Sequence, residues 1–244
     1  MVETVNLGSV QAQVLRKRIK HMHLGVFPPE GAVRISAPED VALDTIRVFA
    51  ISKLAWIKQQ QRKMQAQPRE PEREYIDRES HYVWGQRYLL QIQELERRAS
   101  IALSGKNMLM TVRPGTPAEK RQALLDAWYR TQVREAAQPL LRKWQAIMGV
   151  QAGKLRVQRM KTKWGSCNPQ TGLIRLNTDL AKKPPEHLEY VIVHELAHLI
   201  ESSHGERFVA AMDRFLPKWQ HYRQELNSLP LRYEEWGDDR VSDR

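Results

Sequence analysis

Residues 190–204 read YVIVHELAHLIESSH, an apolar run that is interrupted by His194, Glu195 and His198. Apolar residues before and between the histidines are typical of a helix that is buried in a protein core. His194 and His198 are four residues apart, so on a helix both imidazoles project from the same face. Two histidines and a glutamate are costly to bury unless a partner compensates them. The stretch therefore predicts a buried helix whose polar side chains share a partner.

A metal ion is the partner that suits this arrangement. Imidazoles in a His-Glu-x-x-His pattern can share one ion, and Glu195 can reach a water on that ion without being a ligand. In zinc hydrolysis the imidazoles hold the ion, the ion acidifies water and a carboxylate removes the proton. A bare pattern can arise by chance on an amphipathic helix, but here a third histidine follows. We expect His194 and His198 to be metal ligands and Glu195 to be the catalytic base.

His204 is the expected third ligand, because six residues after His198 let the chain leave the helix and return an imidazole to the ion. The same spacing occurs in the metzincin signature, but Glu201 stands where that signature has glycine, and no Met-turn is evident. Glu201 and Glu206 are the alternative ligands. Three protein ligands leave a fourth position open, as in catalytic zinc sites. Imidazoles without a set of cysteines favour Zn²⁺, while manganese, nickel and cobalt stay open.

Composition narrows the class of protein. With 41% hydrophobic and 27% charged residues among 244, the chain should fold around a sizeable core. It has no apolar run near the roughly 20 residues that cross a bilayer, and no secretory signal is visible at its start. The single cysteine, Cys167, suits a reducing compartment. We therefore expect a cytoplasmic protein without a membrane partner.

The net charge of +11 raises the question of an anionic partner. A basic surface attracts polyanions, so nucleic acid or a nucleotide is a natural partner, although basic residues are spread along the chain without one dominant cluster. The alternative is a basic surface that binds no polyanion. The sequence leaves this choice and the oligomeric state open.

Hydrophobic patterns elsewhere predict an α+β protein. We expect a β-rich N-terminal region, residues 1–115, with one long helix, followed by a zincin-like region, residues 116–244, in which a mixed sheet packs on the His-Glu-x-x-His helix. No internal repeat is evident. Strands are predicted at residues 10–15, 18–24, 32–36, 81–92, 99–103, 108–112, 155–160 and 173–177, with a turn at 28–31 and a connector at 68–73. Helices are predicted from 41 to about 65, from Thr116 as cap to about 148, from 184 and over 207–215.

Several motifs together resemble the YgjP-type metal-dependent hydrolases, relatives of the SprT-like and WLM-type metallopeptidases. They are KTKWGSC at 161–167, GLIRLN at 172–177, the His194–His198 pattern, His204, Phe208 and Leu216-Pro217. The resemblance is strongest from residue 155 to about 226, and it implies one continuous family domain of about residues 15–230. It also implies that His194, His198 and His204 are metal ligands and that Glu195 is the catalytic acid and base.

The segment from Trp164 to Cys167 is expected on a strand or turn beside the metal-binding helix. Trp164 and Ser166 are candidates for the wall of a substrate cleft, where an edge strand could pair with an extended peptide. The alternative is packing, which the burial habits of tryptophan and cysteine favour. Asn177 could orient Glu195 or a ligand, or it could cap a turn. The remaining histidines are expected to be surface or core residues, namely His21, His23, His81, His187 and His221.

Three functions follow from these features. The first is a peptidase. The second is a nucleotide phosphohydrolase, since activity on nucleoside triphosphates such as UTP is also attributed to YgjP-type proteins, although the chain has no glycine-rich phosphate loop and no acidic cluster for magnesium. The third is a nucleic-acid- or protein-associated binding module with a structural metal, against which Glu195 argues because a structural site needs no base. The sequence therefore favours a zinc metallopeptidase.

Overall fold

The computed structural model describes residues 3–27, 31–66, 73–160 and 163–229. The chain forms two compact units. The first extends up to Pro71, and the second is formed by Glu72–Leu229. The strands between residues 80 and 112 pack in the second unit, together with the residues that follow position 116. Of the predicted elements, most of the turn at 28–31 and of the connector at 68–73 lies outside the described residues.

The first unit contains a four-stranded sheet with the order β1-β2-β4-β3. Its strands are β1 (Glu3–Asn6), β2 (Gln11–Lys17), β3 (His23–Phe27) and β4 (Ala32–Pro38). β2 and β4 run parallel, whereas β3 and β4 form the predicted antiparallel hairpin. β3 begins at His23 rather than at residue 18. Alternate residues of the central strands are buried, as in a sheet with one face on a core, for example Val14 and Ile35.

The long helix predicted after the first sheet is two helices, α1 (Leu43–Ser52) and α2 (Leu54–Ala66). No glycine or proline marks the break at Lys53, so the sequence pattern did not reveal it. The hydroxyl of Ser52 donates a hydrogen bond to the carbonyl of Phe49 at 2.7 Å. That carbonyl is the regular α-helical acceptor for the N–H of Lys53, which instead bonds to Ala50 at 3.1 Å.

A second four-stranded sheet opens the second unit, with the order β5-β6-β8-β7. Its strands are β5 (Ser80–Val83), β6 (Gln86–Glu94), β7 (Ser100–Ser104) and β8 (Asn107–Val112). Strand order and directions repeat those of the first sheet, and a helical segment follows each sheet. A repeat of topology therefore exists that the sequence did not reveal.

The strand predicted at 81–92 is a hairpin, because Trp84 and Gly85 form a turn with positive φ angles of 49° and 79°. Two residues with positive φ are typical of a tight hairpin turn. The N–H of Trp84 donates to the carbonyl of Ala181 at 2.7 Å, and that of Gly85 donates to the carbonyl of Lys182 at 3.2 Å. The second sheet is thus tied to the segment that leads into the helix with the His-Glu-x-x-His pattern.

The longest helix, α3 (Ala118–Met148), lines the core of the second unit. Its end is as predicted, with Gly149 in the left-handed conformation at φ 67°. Its start differs by one residue, since Pro117 is the N-cap. The hydroxyl of Thr116 donates to the carbonyl of Arg113 and caps no helical N–H.

A three-stranded mixed sheet and three helices complete the second unit. The strands β9 (Leu155–Gln158), β10 (Gly165–Asn168) and β11 (Leu173–Asn177) have the order β10-β11-β9. A 3-10 helix (Thr178–Lys182) leads into α4 (Pro185–Ala197), which is followed by α5 (Glu206–Phe215) and α6 (Trp219–Ser228). The sequence did not predict α6. The α+β class is confirmed, and among the described residues no helix is long and apolar enough to cross a bilayer.

Candidate metal centre

The centre is built on α4, whose start and burial follow from its sequence. Pro184 is the N-cap and Pro185 is the first helical residue, where a missing N–H costs nothing. Val191, Ile192 and Val193 are buried in the core of the second unit. The helix ends at Ala197, and His198 still has helical backbone angles, with φ −67° and ψ −16°. The predicted four-residue spacing on one helical face is therefore retained.

The structure brings His194, His198 and His204 together. Their ligand atoms all lie within 4.8 Å of one another, and no other such group of histidine, cysteine or carboxylate residues occurs in the described part of the chain. The Nε2 atoms of His194 and His204 are 3.2 Å apart. The chain between α4 and α5 carries His204 back towards the helix, as the spacing predicted.

Phe208 packs against all three imidazoles. Its ring centroid lies 5.0, 4.8 and 4.7 Å from those of His194, His198 and His204, respectively. The side chain is 1% exposed and lies in the first turn of α5. An apolar ring in this position holds the three imidazoles close to one another and excludes water from one side of the cluster.

The two alternative ligands are placed differently. Glu201 accepts hydrogen bonds from the N–H and the hydroxyl of Ser203, at 3.2 and 3.0 Å, and forms an ion pair with Arg207 at 3.8 Å. These hydrogen bonds lower the pKa of Glu201. Glu206, at the start of α5, does not belong to the cluster formed by the three histidines among the described residues. His204 is therefore the better candidate for the third ligand.

The donor set fits a tetrahedral transition metal. Zn–N bonds of about 2.0–2.1 Å in a tetrahedron separate two ligand nitrogens by about 3.3 Å, and the Nε2 atoms of His194 and His204 are 3.2 Å apart. Nδ1 of His198 lies 3.3 Å from the carbonyl oxygen of Glu201, so an N–H there would donate to it and leave Nε2 unprotonated.

The electrostatics also favour the neutral imidazoles that bind metals. Burial, followed by the nearby His198, His204 and Arg223, lowers the pKa of His194 to about 3. Burial and the neighbouring His204 likewise lower the pKa of His198. An uncharged imidazole keeps a free lone pair for a cation.

Glu195 lies on α4 between the first two histidines and is 4% exposed. Burial raises the pKa of this carboxyl to about 8, although the charge of Lys163 opposes the shift. A Cβ on Gly165 would come 2.6 Å from Oε1 of Glu195 and 2.8 Å from a methyl group of Val191. Only glycine fits at this point of β10, because the strand passes directly over the carboxylate.

A cleft of about 900 Å³ opens beside the histidines, within the second unit. Trp164 and Ser166, both half-buried, contribute to its wall. Cys167 also lines it, and burial followed by the charge of Glu195 raises the pKa of its thiol to about 11. A thiol that stays protonated is a poor nucleophile. The cleft also contains residues that no sequence motif indicated as site residues, among them Tyr190, Trp219, Arg223 and Asn227. Of these four residues, only Tyr190 could have been expected near the histidines from the sequence, because it lies one helical turn before His194.

Asn177 lies at the end of β11 and is 5% exposed. Its side-chain nitrogen donates to the carbonyls of Met160 and Lys163, at 2.8 and 2.9 Å. Its side-chain oxygen accepts from the N–H of Asp179 at 3.1 Å and so caps the 3-10 helix. These contacts match the capping alternative and join the segment before β10 to the end of β11.

The other histidines are distributed as core or surface residues. His81 is 4% exposed and contacts Glu79 at 3.1 Å, and His187 is fully buried with Nε2 3.3 Å from Glu225. His21, His23 and His221 are largely exposed. Among the described residues, none of these belongs to the cluster of His194, His198 and His204.

A comparison with protein families gives the relationship of the whole chain. A model of the YgjP-like metallopeptidase domain matches residues 22–229. The chain belongs to this family. The match to the YgjP-like domain spans nearly all described residues and includes the three histidines, Glu195 and β10. The resemblance that the sequence motifs indicated is confirmed.

Similar solved structures cover a smaller part of the chain than the YgjP-like match. The metallopeptidase zymogen abylysin of Pyrococcus abyssi is 23% identical, with a TM-score of 0.35 over 37% of this chain and 90% of its own. The metallopeptidase zymogen jannalysin of Methanocaldococcus jannaschii is 20% identical, with a TM-score of 0.34 over 37% of this chain and 92% of its own. No curated protein matches the sequence significantly.

Proposed function

We propose that this protein is a zinc metallopeptidase in which His194, His198 and His204 hold the metal and Glu195 is the catalytic base. The observation that carries the proposal is the convergence of three imidazoles next to a buried carboxylate at the wall of a cleft. Three protein ligands leave room for water or substrate, which distinguishes catalytic from structural zinc sites. Membership of a metallopeptidase family supports the same reading.

The proposed mechanism assigns one role to each group. When bound, zinc supplies a Lewis acid that polarises the carbonyl of the scissile peptide bond and acidifies water. Glu195 takes a proton from the attacking water and delivers it to the leaving nitrogen. Burial raises the pKa of Glu195, so its carboxylate is a stronger base than an exposed one. Phe208 shields the imidazoles, and Gly165 lets β10 pass over the base.

The substrate is proposed to be an extended peptide that lies along β10. Within the described residues β10 pairs with β11 and with no other strand, so its other edge has backbone groups that an added strand could use. Gly165, Ser166 and Cys167 of this strand line the cleft. A peptide paired to β10 would pass close to Glu195, because the strand itself touches that carboxylate.

Two features of the chain bear on its surroundings. We infer a cytoplasmic location from the single cysteine, which suits a reducing compartment. Contact with nucleic acid, which the net charge of +11 suggests, stays a prediction. A retardation of DNA that weakens with salt would test it.

Metal content and peptide cleavage test the proposed function together. Elemental mass spectrometry of the purified protein should find about one zinc per chain, and the content should fall sharply in His204→Ala. His221→Ala, which removes an exposed histidine from α6, is the matched control and should keep the zinc. Glu195→Gln should keep the zinc and lose cleavage of casein or of a peptide library. Zinc that persists in His204→Ala would refute the ligand set, and cleavage that persists in Glu195→Gln would refute the base.

A further inference from the structure

Among the described residues, Lys163 and Arg223 are the cations that line the cleft beside the proposed metal centre. Lys163 directly precedes Trp164 and β10, and Arg223 lies in the middle of α6. Among the described residues that line the cleft, Glu195 alone carries a carboxylate, which is buried and is the proposed base. The charge that the cleft presents to a substrate is therefore positive, even before a metal is considered.

Neither cation is paired with an acidic side chain in the described part of the chain. Other basic residues of the same unit do have such partners: Lys143 contacts Glu189 at 2.8 Å and Lys182 contacts Asp179 at 3.2 Å. No corresponding ion pair involves Lys163 or Arg223 within residues 73–160 and 163–229. Both side chains are exposed to the cleft and to solvent, so their charges remain available to a ligand.

The two cations lie on different sides of α4. Lys163 is two residues before Gly165, the residue of β10 that lies against Glu195. Arg223 lies on α6, which packs against α4. Both cations line the same cleft as His194 and Glu195, so a substrate bound over the centre would meet both of them.

The surroundings strengthen a charged contact. Apolar side chains of the cleft wall include Trp164, Val191, Phe208 and Trp219. Such walls displace water when a ligand enters, and electrostatic attraction is stronger in a medium of lower dielectric constant. An arginine fork binds a carboxylate through two parallel hydrogen bonds, whereas a lysine binds it as a point charge.

We propose that Lys163 and Arg223 bind carboxylates of the peptide substrate, so that the cleft selects acidic peptides. The carboxylates belong either to acidic side chains near the scissile bond or to a C-terminus close to it. This inference rests on the proposed peptidase function and specifies its substrate class. The net charge of +11 would also speed the encounter with such peptides.

A set of matched peptides tests the proposal on the zinc-loaded, full-length protein. The assay compares quenched fluorescent peptides that carry either glutamate or glutamine around the cleavage site and are otherwise identical. Each peptide is made once with a free C-terminus and once with an amidated one. We expect kcat/KM to be at least about tenfold higher for the peptide with the preferred carboxylate, as one charge-assisted hydrogen bond allows. A preference for glutamate identifies side-chain carboxylates, and a preference for the free C-terminus identifies the terminal one.

Substitutions of Lys163 and Arg223 test whether these two cations cause the preference for carboxylates. Arg223→Gln and Lys163→Gln should each reduce the preference several-fold, while Arg130→Gln and Lys218→Gln, which remove exposed cations outside the cleft lining, should not. Arg223→Glu should shift the preference towards lysine in place of glutamate, a result that general damage to the fold would not produce. Equal cleavage of acidic and amide peptides, or a preference that survives in both glutamine variants, overturns the proposal.

Binding to Glu195→Gln separates this inference from the proposed function. Fluorescence anisotropy with the same peptides measures affinity in a protein that should not turn them over. If acidic peptides bind more tightly and Arg223→Gln abolishes this difference, the cation sites are supported even when no peptide is cleaved. The absence of cleavage would then contradict the proposed peptidase function alone. Cleavage without a carboxylate preference contradicts the cation sites alone. Hydrolysis of nucleoside triphosphates in place of peptides would overturn both.

Discussion

Gly165 lies directly against Glu195, so that a Cβ at position 165 would come 2.6 Å from the carboxylate oxygen Oε1 and 2.9 Å from Cγ. The two residues belong to different elements, β10 and α4. Their contact places β10, the proposed peptide-binding strand, over the carboxylate of Glu195, the proposed base. Space rather than backbone conformation requires the glycine, because the positive φ angles of this chain occur at other residues among those described.

Gly165→Ala should therefore impair catalysis more than metal binding. The added methyl group must displace Glu195 or β10, and misplacing a catalytic group by about 1 Å can lower the rate about a hundredfold. We expect kcat for the best peptide to fall by about tenfold to a hundredfold, with zinc content unchanged. Activity equal to that of the wild type would contradict the close contact.

Phe208→Ala should weaken both the fold and the metal site. Removing a buried phenylalanine ring costs about 3–5 kcal/mol, and the three imidazoles lose the ring that packs against them. We expect a lower melting temperature together with a weaker affinity for zinc, measured by competition with a chelator. Phe215→Ala, in the last turn of the same helix, is the control that should lower stability while leaving zinc affinity unchanged.

Asn177→Ala should destabilise the protein, whereas Thr116→Ala should not. Asn177 is buried and bonds to two carbonyls and a capped N–H, so its loss should cost about 1–3 kcal/mol. Thr116 looks like a helix cap in the sequence but caps no N–H, and we expect a change within about 0.5 kcal/mol. Chemical denaturation measures both free energies of unfolding. A larger effect for Thr116 would mean that α3 starts where the sequence predicted.

Glu189→Gln should lower stability slightly at neutral pH and leave it unchanged in acid. Burial raises the pKa of Glu189, but hydrogen bonds from Lys143 and Trp144 outweigh this and hold it below its ordinary value. A lowered folded-state pKa contributes stability above the unfolded-state pKa of about 4.3, and this contribution is lost as the pH falls through the folded value. Since the ion pair is partly exposed, we expect less than about 1 kcal/mol. An equal difference at both pH values would exclude the charge as its cause.

Zinc removal should lower the melting temperature of the wild type. A ligand at about a hundred times its Kd stabilises the folded state by about 2.7 kcal/mol. Scanning calorimetry before and after chelation, with zinc then restored, measures the shift. His194→Ala should melt at the same temperature in both conditions, and a zinc-dependent shift in that variant would place the metal elsewhere.

Much of the candidate centre could be predicted because it depends on local geometry. The period of a helix places His194 and His198 on one face, and a short connection limits how far His204 can lie from them. Strand alternation and Gly149 likewise predicted most strands and the end of α3. Predictions failed where the structure depends on longer-range contacts or on side chains that compete for backbone hydrogen bonds. The helix break at Lys53 is an example, because the hydroxyl of Ser52 donates a hydrogen bond to the carbonyl of Phe49 there.

The sequence by itself determined the α+β class, the family and the spacing that lets three histidines meet. Only the tertiary structure decided what surrounds them. Arg223 and Lys163 are 60 positions apart in the sequence, yet both line one cleft with Glu195. Gly165 reaches that carboxylate because β10 and α4 pack together. Periodicity within one element is fixed by backbone geometry, whereas the meeting of distant side chains depends on how whole elements pack, which no local pattern encodes.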